Sequence, residues 1–299
     1  LKIEKPTKGC IVTSCDMIDG PIVKLFNGSV KRVKTVEEAK KIYKDTEEII
    51  YLGDMLFPFS DLANRNSNLI KPGYVEEIWA LELREKNPDL EKATNAFSIG
   101  FEESAEISKE NKISLNPKYI FYWTQITKDQ LMGLVYWLKH SRLDKKIILP
   151  YNKKEEEKFG VGKRALELLG VEHDVVIENI VINHELSKAL FANLGINQNI
   201  LEAENTLKEV IDLEKFNLDK DVLEIINSVS DFEIRDKAGE FIGARMGRPE
   251  KAKLRKLTGS PNVLFPVGKE GGRLRSVQAA CEVGSITSDF PVYYCETCK

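Results

Sequence analysis

The chain has 299 residues, 42% hydrophobic and 30% charged, with 44 Lys and Arg against 47 Asp and Glu for a net charge of −3. Such a composition excludes a disordered chain, and no run approaches the roughly 18 consecutive apolar residues of a membrane span. At roughly 100–200 residues per domain the length predicts two or three folded units, and five cysteines, an odd number, point to a reducing compartment rather than a disulfide framework.

The opening Leu1-Lys2-Ile3-Glu4-Lys5 lacks the order of a secretory signal, and Cys295-Glu296-Thr297-Cys298-Lys299 holds half of a metal-type motif. The expectation is a cytoplasmic segment of something longer. From Gly9 to Pro72 the pattern is strand-like: Cys10–Thr13, Ile22–Phe26, Val30–Val33 and Ile49–Leu52. Asn27-Gly28 between two β-rich runs predicts a hairpin. Val36 through Lys44 reads as a short amphipathic helix capped by Thr35. Short strands broken by Gly, Pro and Asp suggest a small barrel or sandwich rather than a parallel sheet.

After Tyr74 the apolar spacing changes to three and four residues over Val75–Glu85, Lys128–His140, Gly162–Leu169 and Glu185–Leu194, so this stretch is predicted to be mostly helical. Thr127 is a cap, and Gly170 and Gly195 follow two helices. Leu201–Val210 and Val222–Val229 extend the helical part. Beyond Asp231 the β pattern returns at Phe232–Arg235, Glu240–Gly243 and Val263–Val267. The predicted fold is α+β: a barrel in two parts, 1–74 and 231–290, with a helical insertion at 75–230 and a separate start of a module at 291–299.

Charge is distributed unevenly. Between Arg235 and Arg275 there are eleven basic residues and four acidic ones, a net of +7, which leaves −10 on the remainder. Such a block is an electrostatic footprint for phosphate or polynucleotide. Pro249-Glu250 suits a helix start and Gly259 an end. If Pro249–Leu257 is helical, Lys253 and Lys256 share one flank and Lys251 and Arg255 another. If extended, Lys251, Lys253 and Arg255 line one face. Neighbouring lysines repel, and a polyanion would relieve that repulsion; a solvated basic helix would look the same.

The runs GCIVTSCDMIDGPIVKL, IIYLGDMLFPFSDLANRN, KRALELLGVEH, IRDKAGEFIGARMGRPEKAKLRK and VLFPVGKEGGRLR resemble the large subunit of the archaeal family D DNA polymerase, from Gly9 to the terminal Cys-x-x-Cys. The resemblance implies a double-psi β-barrel, one of two that form the catalytic core of a replicative DNA-directed DNA polymerase. It places the lysine-bearing motif at Lys251, Lys253 and Lys256, with Arg245 and Arg248 just upstream; these two arginines and Arg255, Lys269, Arg273 and Arg275 of the basic block are the further candidate phosphate-binding residues. The family's Asn-Ala-Asp-Phe-Asp-Gly-Asp run, which holds Mg²⁺, is absent, so a chain with these residues is expected to be inactive alone. The resemblance also implies primer-template DNA and dNTP as substrates, a small proofreading exonuclease subunit and a sliding clamp as partners, and association with the nucleoid.

Cys295-x-x-Cys298 has the spacing of a structural zinc knuckle, which needs two more ligands. Cys10 and Cys15 could supply them, but they bracket an apolar run typical of buried cysteines; the resemblance places the second pair after Lys299. Asp219-Lys220-Asp221 reads as the start of the next helix rather than a metal site. Gly160-Val161-Gly162-Lys163-Arg164 lacks the full phosphate-loop spacing and reads as helix initiation. None of His140, His173 and His184 is a candidate base, and Tyr119, Phe121, Tyr122, Trp123, Tyr136 and Trp137 read as core of the insertion. The alternative function is a non-catalytic nucleic-acid-binding module with structural zinc, or a scaffold docking an acidic partner.

Overall fold

Asn27-Gly28 forms the turn that its residue types favour: Gly28 has φ 85°, and the Asn27 side chain accepts from Ser29 N at 2.9 Å. In the computed structural model, residues 10–11, 19–53, 69–70, 73–152, 154–202, 216, 219–238, 267–270, 276–287 and 295–298 are described. Strand β1 (Cys10–Ile11) pairs in parallel with β5 (Leu69–Ile70). The hairpin strands are β2 (Ile22–Leu25) and β3 (Val30–Arg32), and β4 (Thr46–Tyr51) pairs antiparallel with the other edge of β2, for an order β3-β2-β4. Helix α1 (Val36–Ile42) starts at the Thr35 capping box, in which Thr35 accepts from Glu38 N at 3.2 Å and Glu38 accepts from Thr35 N at 3.2 Å. Its Ala39 and Ile42 cover Val23, Leu25 and Val33. The described residues include no closed barrel; the runs 54–68 and 239–266, which that architecture would use, lie outside them.

The stretch predicted as mostly helical contains α2 (Glu76–Lys86), α3 (Pro88–Ala93), α4 (Phe101–Asn111), α5 (Lys128–Leu138), α6 (Glu156–Leu168), α7 (His184–Asn193) and α8 (Val222–Val229). It also contains a sheet that helical spacing did not reveal. Strands β6 (Arg142–Leu143), β7 (Ile147–Pro150), β8 (Asp174–Val176) and β9 (Asn179–Ile182) form an antiparallel sheet in the order β6-β7-β9-β8. Ile147-Ile148-Leu149 and Ile180-Val181-Ile182 are short unbroken apolar runs at its centre, which carry no alternation to mark them as strands. Of the predicted helix Leu201–Val210, residues 203–210 lie outside the described ones.

The three tryptophans Trp79, Trp123 and Trp137 are fully buried with Tyr119, Phe101, Phe159 and Phe191. Each indole N–H donates inside the core, to Ser114 O at 3.1 Å, Asn193 Oδ1 at 2.8 Å and Pro150 O at 2.8 Å, so the burial leaves no orphaned donor. Phe121 and Tyr122 are buried too, as expected; Tyr136 is not, being 42% exposed with its ring beside His140 and under Lys158.

Gly160–Arg164 corrects its sequence reading, because it is the middle of α6 rather than the start. The reason is packing. A Cβ on Gly162 would stand 2.7 Å from Gly133 O, so the two glycines let α5 and α6 cross in direct backbone contact. Lys163, one residue on, is buried and points across to the hairpin: its Nζ donates to Gly28 O at 2.8 Å, Glu167 Oε1 at 2.7 Å and His173 Nε2 at 2.9 Å. Arg164 donates to both Glu48 oxygens at 2.8 Å and to Glu167 at 2.9 Å. His173 N and O bond Val30 O and N, both at 3.0 Å, which joins β3 to the chain entering β8. The chain divides into two compact units, Leu1–Pro249 and Glu250–Lys299. In the second, α9 (Val277–Val283) starts at a Ser276 cap and ends at Gly284.

Two stability predictions follow from this packing. Gly162→Ala should cost about 1–3 kcal/mol through the clash with Gly133 O, whereas Gly160→Ala, where an added Cβ meets nothing within 4 Å, should stabilise by about 0.4–1 kcal/mol; urea unfolding of both variants measures the difference. Burial, and secondarily Lys163, pushes the His173 ring down to about 3 from an ordinary 6.5. The unfolded chain therefore takes up a proton that the folded chain refuses. The resulting stability is complete above pH 6.5 and declines as the pH falls towards 3, by roughly 1.4 kcal/mol per pH unit. His173→Gln should flatten that part of the stability–pH curve.

Candidate functional site

Lys251, Lys253 and Lys256, together with Arg245, Arg248, Arg255, Arg273 and Arg275, lie outside the described residues. Lys269 is exposed on the turn where Glu270 N bonds Val267 O at 3.0 Å. Cys295 and Cys298 are exposed on a single turn. What the structure does show is the frame that the basic segment leaves. Arg235 and Lys237, the first two of its eleven cations, are tied down: Arg235 pairs with Glu82 over the Tyr74 ring, and Lys237 Nζ donates to Pro117 O at 2.7 Å beside Tyr122.

Four chain segments pass this region in two close crossings. A Cβ on Gly73 would stand 2.0 Å from Lys237 O, one on Gly53 would stand 2.5 Å from Gly20 C, and Tyr74 N donates to Asp236 O at 2.8 Å. Ile22, Tyr51, Tyr122 and Ala238 pack together underneath. Three of the runs carrying the family resemblance, those at 9–25, 49–66 and 234–256, each include residues of this region.

Beside it opens a cleft of about 550 Å³, floored by Tyr119–Tyr122 and walled by Phe97 and Leu186. Its charged lining is balanced: Arg32, Lys34, Lys118 and Lys237 against Asp19, Glu76, Glu172 and Glu185. Most of these charges face one another. Arg32 pairs with Asp19, and despite burial Asp19 holds its guanidinium well above the ordinary value. Lys118 Nζ donates to Ile99 O at 2.9 Å and lies 3.6 Å from Glu185, which also meets the Tyr119 hydroxyl. Burial, then Glu185, pushes that hydroxyl far up. A cleft with as many carboxylates as cations does not suit a polyanion.

On the cysteine turn, the N–H of Cys298 and then its side chain, with the N–H of Thr297, bring the Cys295 thiol down to about 7 from 9.0. The thiolate is the metal-ligating form. Among the described residues no group of three or more His, Cys, Asp or Glu could hold a metal ion. Asp221 occupies the N-cap position of α8 with extended backbone, in line with a helix start at Asp219–Asp221. The residues that the sequence left unassigned are Lys163, Glu167 and His173. Glu167 four residues after Lys163 was a visible i,i+4 pair, but its burial was not.

The model of the family "DNA polymerase II large subunit DP2, central domain" matches residues 1–299. The chain belongs to that family. It is 36% identical to the DNA polymerase II large subunit of Nanoarchaeum equitans over 334 residues, covering 99% of the chain and 26% of that protein. The corresponding proteins of Methanothermobacter thermautotrophicus and Pyrococcus horikoshii are 34% and 33% identical, each over 100% of the chain and 26% and 23% of their own length. The chain therefore spans about a quarter of the length of these relatives.

Within this DP2 central domain the described part is a mixed α and β frame, and hydrogen-bond donors on the cysteine turn favour the Cys295 thiolate. Cys295 should be alkylated with a pH midpoint near 7, and Cys298→Ala, which removes the side-chain donor but keeps the backbone N–H groups, should move that midpoint only part of the way towards 9, as read by peptide-resolved iodoacetamide labelling across pH.

Proposed function

We propose that this domain is part of the catalytic large subunit of a replicative DNA-directed DNA polymerase of family D, and that its basic segment neutralises phosphate charge during nucleotidyl transfer. One observation carries the proposal: a chain of this family places +7 between Arg235 and Arg275 while the remainder carries −10. The cleft beside that segment is charge-balanced and offers no alternative phosphate site.

Lys253 and Lys256, with Lys251, are the groups assigned to the charge developing on the α-phosphate and pyrophosphate. Arg245, Arg248, Arg255, Lys269, Arg273 and Arg275 are assigned to the primer end and the incoming nucleotide's phosphates. When bound, Mg²⁺ would hold the triphosphate and activate the primer hydroxyl. The described residues offer no carboxylate cluster for it, and the sequence lacks the family's Asp-rich run, so its ligands are assigned to another part of the subunit. This chain is accordingly proposed to be inactive alone.

Zn²⁺ fits the cysteine turn as far as that turn goes: Cys295 and Cys298 share one exposed turn, and backbone N–H donors favour the Cys295 thiolate. They would supply two of four tetrahedral ligands. The barrel reading assigns 1–74 and 231–290 to one double-psi unit, with 75–230 as its insertion and 291–299 opening the zinc module. Primer-template DNA, dNTP, a small proofreading exonuclease subunit and a sliding clamp are the proposed partners, at the nucleoid. Among the described residues no helix is long and apolar enough to cross a membrane.

Lys253→Ala or Lys256→Ala in the intact enzyme should lower nucleotide incorporation by about 10²-fold, with a much smaller change in DNA affinity. Single-turnover incorporation beside an equilibrium DNA titration separates the two. Unchanged turnover with a salt slope reduced by roughly one per lysine would instead make the segment a non-catalytic DNA tracker, and loss of subunit assembly would make it a docking scaffold.

A further inference from the structure

At the end of β2 away from Gly20 and Gly53, three turns converge. The hairpin turn after Leu25 touches the turn between α1 and β4, because Phe26 N donates to Asp45 O at 2.9 Å. It also touches β8, because Val175 N donates to Ser29 Oγ at 2.9 Å and a Cβ on Gly28 would lie 3.4 Å from Val175. Each turn carries exposed apolar side chains: Phe26 is 71% exposed, Tyr43 63%, Val176 50% and Ile177 94%.

Ile177 is the most informative of them. It stands at φ 56°, one of two residues joining β8 to β9. The left-handed region suits Gly or Asn in a two-residue hairpin loop and opposes a β-branched side chain. An isoleucine there costs the folded domain backbone strain as well as apolar exposure, and nothing within the described residues rewards either. Strain retained at an exposed position points to a contact outside the frame.

The geometry points to a docking face at this end for another part of the same large subunit. Charge does not favour a polyanion: Lys31 is paired to Asp174 at 3.3 Å, and the turns carry the acids Asp45 and Glu178 against the single cation Lys44. Area argues for a tethered occupant over a separate chain. Four such side chains offer on the order of 400 Å², about half of the roughly 800 Å² that a stable interface takes from each of two free partners. Parts of one polypeptide meet at roughly millimolar effective concentration, where a small patch suffices. Relatives of this chain extend over about four times its length, as its coverage of 26% in two of them shows. The assignment rests on the large-subunit reading proposed above.

The test uses the intact large subunit with Ile177→Cys, and with Lys92→Cys, whose native side chain is 74% exposed, as the reference. Peptide-resolved maleimide labelling should proceed at least about tenfold more slowly at position 177 than at position 92, independently of protein concentration. Equal rates would overturn the proposal; protection that appears only at high concentration or on adding another subunit would overturn it in favour of a second copy or a separate chain. Ile177→Asn supplies a second measurement: it relieves the backbone strain, so on a free surface the thermal midpoint of the subunit should rise or hold, whereas loss of a docked contact lowers it. The lysine substitutions test the polymerase reading independently, so either reading can fail while the other stands.

Discussion

The ammonium of Lys163 is the constraint on which the first unit depends. It is a buried cation with three acceptors in reach, drawn from three different places: the hairpin turn at Gly28, the next turn of its own helix at Glu167, and the strand entry at His173. Burial lowers its proton affinity and Glu167 acts against that; Glu167 in turn is held below the usual carboxylate range, since Lys163 and Arg164 outweigh its own burial. A buried pair of this kind adds little net stability compared with an apolar replacement, but removing one partner strands the other at about 3–5 kcal/mol. Its value lies in specificity. The bond to Gly28 O orients the β2–β3 hairpin against α6, and the Val30–His173 backbone pair and the Tyr51 hydroxyl, donating to Leu168 O at 2.5 Å, are compatible with that placement.

Because that placement is fixed, so is the region where the chain enters and leaves the frame. Gly53 meets Gly20, and Gly73 meets Lys237, by backbone approaches that leave no room for a Cβ on Gly53 or Gly73. The first two cations of the segment with the concentrated positive charge, Arg235 and Lys237, are held there by Glu82 and Pro117 O. The same holds elsewhere in the frame: Arg32 is committed to Asp19, and Arg164 to Glu48 and Glu167.

Local chemistry made much of this frame legible in the sequence. Thr35 and Thr127 each precede a residue, Glu38 or Gln130, that completes a capping box, and both boxes form. Asn27-Gly28 made the hairpin, and Gly170 and Gly195 end helices at φ 71° and 65°. The β6–β9 sheet was hidden because its central strands are three-residue apolar runs with no alternation. Gly160–Arg164 misled because glycine and lysine together suggest a phosphate-binding start, whereas here the glycine serves a helix crossing and the lysine a buried pair. Nothing in a one-dimensional pattern separates a buried lysine from a solvated one; the three acceptors that tolerate it lie 4, 10 and 135 residues away. Of the candidate site itself, the sequence made the charge block and the cysteine spacing visible, and the structure adds the anchor and the thiol's electrostatics.

The opposite signs of segment and remainder have a consequence for how a polyanion would approach. With a screening length of about 8 Å at physiological ionic strength, the net −10 outside Arg235–Arg275 does not cancel the +7 within it at contact distance, but it does repel phosphate from the rest of the surface. The charge-balanced cleft neither attracts nor strongly repels, so it adds no competing attraction beside the anchor. A uniformly basic domain would bind nucleic acid in many orientations. Positive charge gathered in one segment of an otherwise acidic chain restricts them.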